Sequence, residues 1–174
     1  MGKIVPGTVY EIKLENEKFA YVCRFDEFNL GLFNVISDNQ VNIETLLLSN
    51  LIDYKACGSI NKIPHLKDEK IRKFSWKIIG EIDLIKYKIS IPDLAIYNPW
   101  KKELSYKNCQ IARHGHGKIK VSAEEYKKLL DKGLTDGYID NFMLFEKYIN
   151  NNIDNILNNK PLDPSGFVST FGDE

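Results

Sequence analysis

The side chains with the most chemical potential in this 174-residue chain stand together at Arg113-His114-Gly115-His116-Gly117. Two imidazoles separated by one residue share a face when the chain is extended, so the pair could offer two nitrogens to a metal ion. A stable metal site normally needs a third protein ligand. The only other histidine is His65, and nothing in the spacing brings it near. We therefore read the segment as a glycine-rich loop at the end of a strand. The cysteines, Cys23, Cys57 and Cys109, are odd in number and widely spaced, a pattern that suits reduced thiols and not a disulfide framework. Cys109 and His114 would fall on opposite faces of a strand, which argues against a thiol–imidazole pair. The sequence has no Gly-x-Ser-x-Gly elbow, no phosphate-cradling Gly-x-x-x-x-Gly-Lys loop and no Gly-x-Gly-x-x-Gly turn. The adjacent carboxylates Asp26-Glu27 and Glu124-Glu125 carry no specificity. These observations lead to the expectation of a chain that is not an enzyme and uses no metal or cofactor.

Aromatic and charged residues give better candidates for binding. Trp100 follows Asn98-Pro99 and precedes Lys101-Lys102, so it belongs to a turn, and Tyr97 is close by. Tryptophan and tyrosine are enriched among the residues that dominate interface energetics. The formal net charge is zero, but the charges are segregated. Residues 1–50 carry −3, residues 51–120 carry +8 and residues 121–174 carry −5. Tyr97, Trp100, Lys101 and Lys102 thus define a basic candidate face. Asp136, Asp140, Glu146 and Asp154 define an acidic one. A neutral total and the lack of a nucleic-acid motif disfavour a nucleic-acid partner.

The elements that must position these residues follow from periodicity. Thr8, Tyr10, Ile12 and Leu14 alternate with Glu11 and Lys13, and Phe19, Tyr21, Cys23 and Phe25 alternate with Lys18 and Arg24. Such alternation predicts two strands, and the short polar link at Glu15-Asn16-Glu17 predicts a hairpin. A third strand is expected near 30–36, a short helix or irregular strand over 43–54, and a loop over 55–72. Strands are expected again around Phe74–Ile82 and Tyr87–Ile91, from Leu104 to Ile111, and from Lys118 to Val121. Ser122-Ala123-Glu124-Glu125 reads as a capping box, with Gly133 positioned to end that helix. An apolar stripe from Ile139 to Leu157 predicts one helix over roughly Asp136–Leu157. Trp76 is expected in the core. The fold class is α+β: a mostly antiparallel sheet or partial barrel in the first two-thirds, with two C-terminal helices packed on it. We expect a single domain over residues 1–160 and a loosely held tail over 161–174. No apolar run approaches the ~20 residues that span a bilayer, and the N-terminus lacks the apolar stretch of a secretory signal. The expected location is the cytoplasm, with no membrane partner.

Several short motifs add a family likeness. Gly7-Thr8-Val9-Tyr10-Glu11-Ile12-Lys13-Leu14 is followed by Phe19-Ala20-Tyr21-Val22-Cys23-Arg24, then by Trp76-Lys77-Ile78-Ile79-Gly80 and Ile91-Pro92. Over about the first 95 residues this order resembles the immunity protein 26 family of bacterial polymorphic toxin systems. The chain has Gly7-Thr8 where the family pattern has Gly-Asp, and Val22 where it has Gly. The resemblance implies a small cytoplasmic α+β protein that neutralises a cognate toxin domain by binding it, without catalysis. It implies that Gly7, Tyr10, Tyr21, Trp76 and Gly80 serve the fold and not the contact with the toxin. Two other classes stay open on the residues alone: a β-rich binding module for nucleic acid or another protein, and an enzyme built on His114, His116 or Cys109.

Overall fold

A computed structural model describes residues 5–26, 29–57, 76–96, 109–135, 137–139, 142–160 and 162. The two N-terminal period-two segments form the expected strands. β1 (Thr8–Lys13) and β2 (Phe19–Arg24) make a hairpin with Tyr10 opposite Val22 and Ile12 opposite Ala20. β3 (Asn29–Ser37) continues the meander. A five-residue helix, α1 (Ile43–Leu47), is capped by the Asn42 side chain and leads into β4 (Leu51–Cys57). β5 (Trp76–Glu81) returns to the other side of β1. After it come β6 (Leu94–Ala95), β7 (Gln110–Arg113), β8 (Gly117–Lys120), α2 (Ala123–Asp131), β9 (Gly137–Ile139), α3 (Phe142–Asn151) and α4 (Ile153–Leu157). The described strands form two open sheets, ordered β5-β1-β2-β3-β4-β9 and β6-β7-β8, and do not close into a barrel. Among the described strands, the pairings are antiparallel except β4 with β9, and an isolated parallel bridge joins Ala95 to Thr135.

The large sheet is covered on both faces. Tyr10, Ile12, Ala20, Val22, Leu30, Leu32 and Trp76 pack against Phe145, Tyr148 and Ile149 of α3 and Ile156 of α4. Leu162, which falls in the expected tail, is buried in this same core. The opposite face carries Val9, Tyr21, Cys23, Phe25 and Phe33 under Leu46, Ile82, Leu94 and Leu134. The smaller sheet packs on α2 through Ile111 and Tyr126, whose hydroxyl donates to the Ile96 carbonyl at 2.7 Å. Two charged residues of the hairpin are buried as a result. Glu11 accepts a hydrogen bond from Gln40 Nε2 at 2.7 Å and faces the Tyr21 hydroxyl at 3.4 Å. Arg24 donates from Nε to the Asp26 carbonyl at 3.2 Å and from Nη1 to the Tyr10 hydroxyl at 3.5 Å.

The helix ends follow the expected chemistry. Ser122 Oγ accepts from the Glu125 amide at 3.1 Å. Gly133 adopts φ +71°, with its amide bonded to the Leu130 carbonyl and that of Leu134 to the Leu129 carbonyl. That paired pattern is a Schellman ending, and the residue after the glycine, Leu134, is buried beneath the sheet.

Three expectations need correction. The segment Asp136–Leu157 is not one helix. Residues 137–139 add a parallel strand beside Lys55–Cys57, so edge pairing overrides the helical stripe. The remainder breaks at Asn152, whose buried carboxamide donates to the Tyr148 carbonyl at 3.0 Å and leaves the residue at φ −109° and ψ 8°. Side-chain competition for backbone groups is the reason asparagine disfavours helix interiors. Tyr87–Ile91 is not a strand but the end of a tight turn, described below. Of the loop expected over 55–72, residues 55–57 belong instead to β4, which runs to Cys57, and the rest lies outside the described residues.

Burial also governs the Cys23 thiol. It is 1% exposed, and desolvation pushes its pKa up to about 12. An unfolded thiol titrates near 8.5. The folded state therefore keeps a proton that the unfolded state gives up, and stability is fully present below about pH 8.5 and declines as the pH rises toward about 12. Burial moves the Tyr10 and Tyr21 hydroxyls in the same direction. We expect the urea midpoint to fall above about pH 9. Peptide mapping after iodoacetamide treatment at about pH 8 should find Cys23 unmodified unless urea is present.

Candidate protein-binding surface

The histidine loop is the turn of the β7–β8 hairpin. His116 donates its amide to the Arg113 carbonyl at 3.0 Å, and Gly115 and Gly117 take φ +77° and +73°. Both imidazoles are exposed, and the chain here is tightly turned, which removes the extended geometry that would align them. Arg113 is committed elsewhere: its Nε donates to both oxygens of Asp93, at 2.9 and 3.1 Å, tying β7 to the start of β6. Among the described residues, no three His, Cys, Asp or Glu side chains converge to hold a metal ion.

Most of the residues singled out for binding from the sequence lie outside the described residues: Tyr97, Trp100, Lys101, Lys102, Asp136 and Asp140. Glu146 and Asp154 are described, and the structure gives them different roles. Glu146 is half-buried on α3 and accepts a hydrogen bond from Trp76 Nε1 at 3.2 Å, so it is tied to the core. Asp154 is exposed in the first turn of α4.

The structure adds features that the sequence reading missed. Between β5 and β6 the chain makes a compact turn organised by Asp83. One carboxylate oxygen of Asp83 accepts from the amides of Ile85 at 3.1 Å and Lys86 at 2.9 Å. Backbone bonds from Tyr87 to Asp83, Lys88 to Ile85 and Ile89 to Leu84 close the turn at 2.8 to 3.1 Å. Lys88 sits at φ +53°. An Asp accepting from amides two and three residues on is the usual chemistry of such turns. At its tip, Ile85 is 91% exposed and Tyr87 is 46% exposed. Leu48, just after α1, is also 91% exposed. Both α1 and this turn belong to the layer that covers the Val9–Tyr21 face of the sheet. The sequence signal was Asp83 itself, a residue type that nucleates turns by accepting from amides two and three positions on.

A second feature is a cleft of about 410 Å³ between the β3–β4 connection and the ends of α2 and α4. Carboxamides of Asn34, Asn50, Asn155 and Asn159 line its walls, and Asn34 donates to Asn159 across it at 3.0 Å. That bond joins β3 to the end of α4.

Among the described residues, no helix is long and apolar enough to cross a membrane. Comparison of the chain with protein-family models, with curated proteins and with solved structures gave no match.

Proposed function

We propose that this chain is an immunity-type protein that binds and neutralises a cognate bacterial toxin domain in the cytoplasm, by protein–protein contact and without catalysis. The observation that carries the reading is the pair of large aliphatic side chains, Leu48 and Ile85, left 91% exposed next to Leu47 and Leu84, which pack into the layer over one sheet face. Single exposed aliphatics are ordinary, but two from the same packed layer, with Tyr87 beside one of them, are what a partner would cover. The remaining support is the motif order from Gly7 to Pro92, which resembles the immunity protein 26 pattern. The sheet that presents these side chains is packed on both faces, which favours binding with little further ordering.

The test is co-expression with the toxin domain encoded beside this chain. Cell survival together with a one-to-one complex on size-exclusion chromatography is the expected result. Continued killing, with the two proteins eluting separately, would remove the immunity reading and leave a binding module of another kind.

A further inference from the structure

We infer that the Asp83–Ile89 turn is the element that enters the partner, and that it fits a concave apolar pocket rimmed by carboxylates on a partner protein. This rests on the reading of the chain as a toxin-binding protein and names the part of it that docks. Three properties of the turn converge on it.

The first is preorganisation. The Asp83 carboxylate and three backbone hydrogen bonds hold the turn from within. The flanking side chains hold it from below: Ile82 is buried, and Leu84, Ile89 and Ile91 pack into the core of that sheet face. An aliphatic residue on such a support is displayed in one place, so its burial by a partner would incur little loss of chain entropy.

The second is shape and polarity. Ile85 stands at the tip, with Tyr87 two residues on. A single protruding aliphatic needs a pocket, and well-packed desolvated pockets are where interface energy concentrates. A flat or convex partner surface could not enclose it.

The third is charge. Lys86 and Lys88 are both exposed at the tip, and the Lys86 ammonium lies 5.2 Å above the Tyr87 ring. The acidic groups of the segment, Glu81 and Asp83, are also exposed and keep their charge, but they stand at its base, where Asp83 accepts from the turn amides, while both ammonium groups stand at the tip. The tip is thus apolar and cationic, and its complement is apolar and anionic. Tyr87 is the one aromatic ring of the turn and one of its faces is taken up by Lys86, which is short of the row of rings on which the successive bases of a single-stranded nucleic acid stack. One isoleucine and a half-exposed tyrosine supply little of the apolar area by which interfacial anchors hold a lipid surface.

The experiment measures affinity for the toxin domain encoded beside this chain, by surface plasmon resonance, alongside cell survival. Ile85→Asp should weaken binding by about 100-fold or more and abolish rescue. Its thermal midpoint should match wild type, since the side chain it replaces touches solvent. Lys86→Glu with Lys88→Glu should slow association about tenfold at low salt. Asp154→Lys, on the acidic face over the opposite side of the sheet, should leave affinity within about twofold. Wild-type binding that survives Ile85→Asp overturns this inference and leaves the immunity reading standing. A wild-type chain that neither binds nor rescues overturns both. Binding to vesicles of equal phosphatidylglycerol and phosphatidylcholine that depends on Ile85 would overturn the assignment of a protein partner.

Discussion

Replacing Gly7 with alanine should cost about 4 kcal/mol or more, a large share of the 5–15 kcal/mol that holds a domain of this size together. Gly7 has φ +89°, a conformation that disfavours any side chain. A Cβ built there lies 2.0 Å from the Ile82 carbonyl oxygen, a backbone atom with no room to move independently. The backbone is pinned on both sides. Gly7 donates to the Arg24 carbonyl at 2.6 Å, and its own carbonyl accepts from the Ile82 amide at 2.8 Å. Moving the strands apart to admit a methyl group would stretch the bonds that join the start of β1 to the end of β2 and to the residue after β5. Gly115→Ala is the matched control, because Gly115 has φ +77° but nothing within 4 Å of a Cβ. It should show the conformational cost alone, about 1–2 kcal/mol. Urea denaturation of both variants measures the difference. Equal losses would mean that the close approach at Ile82 contributes nothing.

How much of this was legible in the sequence depended on how local the cause was. The β1–β2 hairpin, β3, β5 and the α2 caps each carry their signal within a few residues: alternation, a polar link, a serine three residues before a glutamate. The structure bears these out. β6 and β9 are two and three residues long, too short to display a period. They are strands only because a partner strand stands beside them. The break at Asn152 was invisible for a similar reason: the apolar stripe runs through it, and only burial of its carboxamide against the Tyr148 carbonyl shows that the helix ends. Alternation in Tyr87-Ile89-Ile91 misled in the opposite sense. Ile89 and Ile91 pack inward while Tyr87 lies across a tight turn, so an accident of spacing resembled a strand. The hairpin alternation also concealed the burial of Glu11 and Arg24. A polar residue opposite an apolar row normally means solvent, but here α1 and the segment after β5 cover one face while α3 and α4 cover the other. Of the proposed acidic binding face, the sequence could locate charges but not their partners, and Glu146 turns out to have a structural one.

That partner makes Trp76 the second position with a large expected effect, and it separates what Glu146 does for the fold from what it could do for binding. Trp76 is 7% exposed at the start of β5, with its ring centroid 5.7 Å from that of Tyr10 and 6.0 Å from that of Phe145. It therefore joins the sheet to α3. Trp76→Ala should cost about 3–5 kcal/mol, from lost transfer and the cavity left between sheet and helix. Trp76→Phe keeps a ring between Tyr10 and Phe145 and removes the indole N–H, so the loss should fall to about 1–2 kcal/mol. Glu146→Gln keeps an acceptor and should cost less than about 1 kcal/mol. If the hydrogen bond at 3.2 Å is the link between them, the double variant Trp76→Phe with Glu146→Ala, in which each single change removes one partner of the bond, will be less destabilised than the sum of the singles. Additive losses would place Glu146 outside the Trp76 interaction and return it to the acidic face as a free charge. The distinction matters for any binding assay, because a charge reversal at Glu146 would then weaken a complex either by repelling the partner or by loosening α3. Only the stability measurement on these variants tells the two apart, whereas Asp154, exposed on α4, can be reversed without that ambiguity.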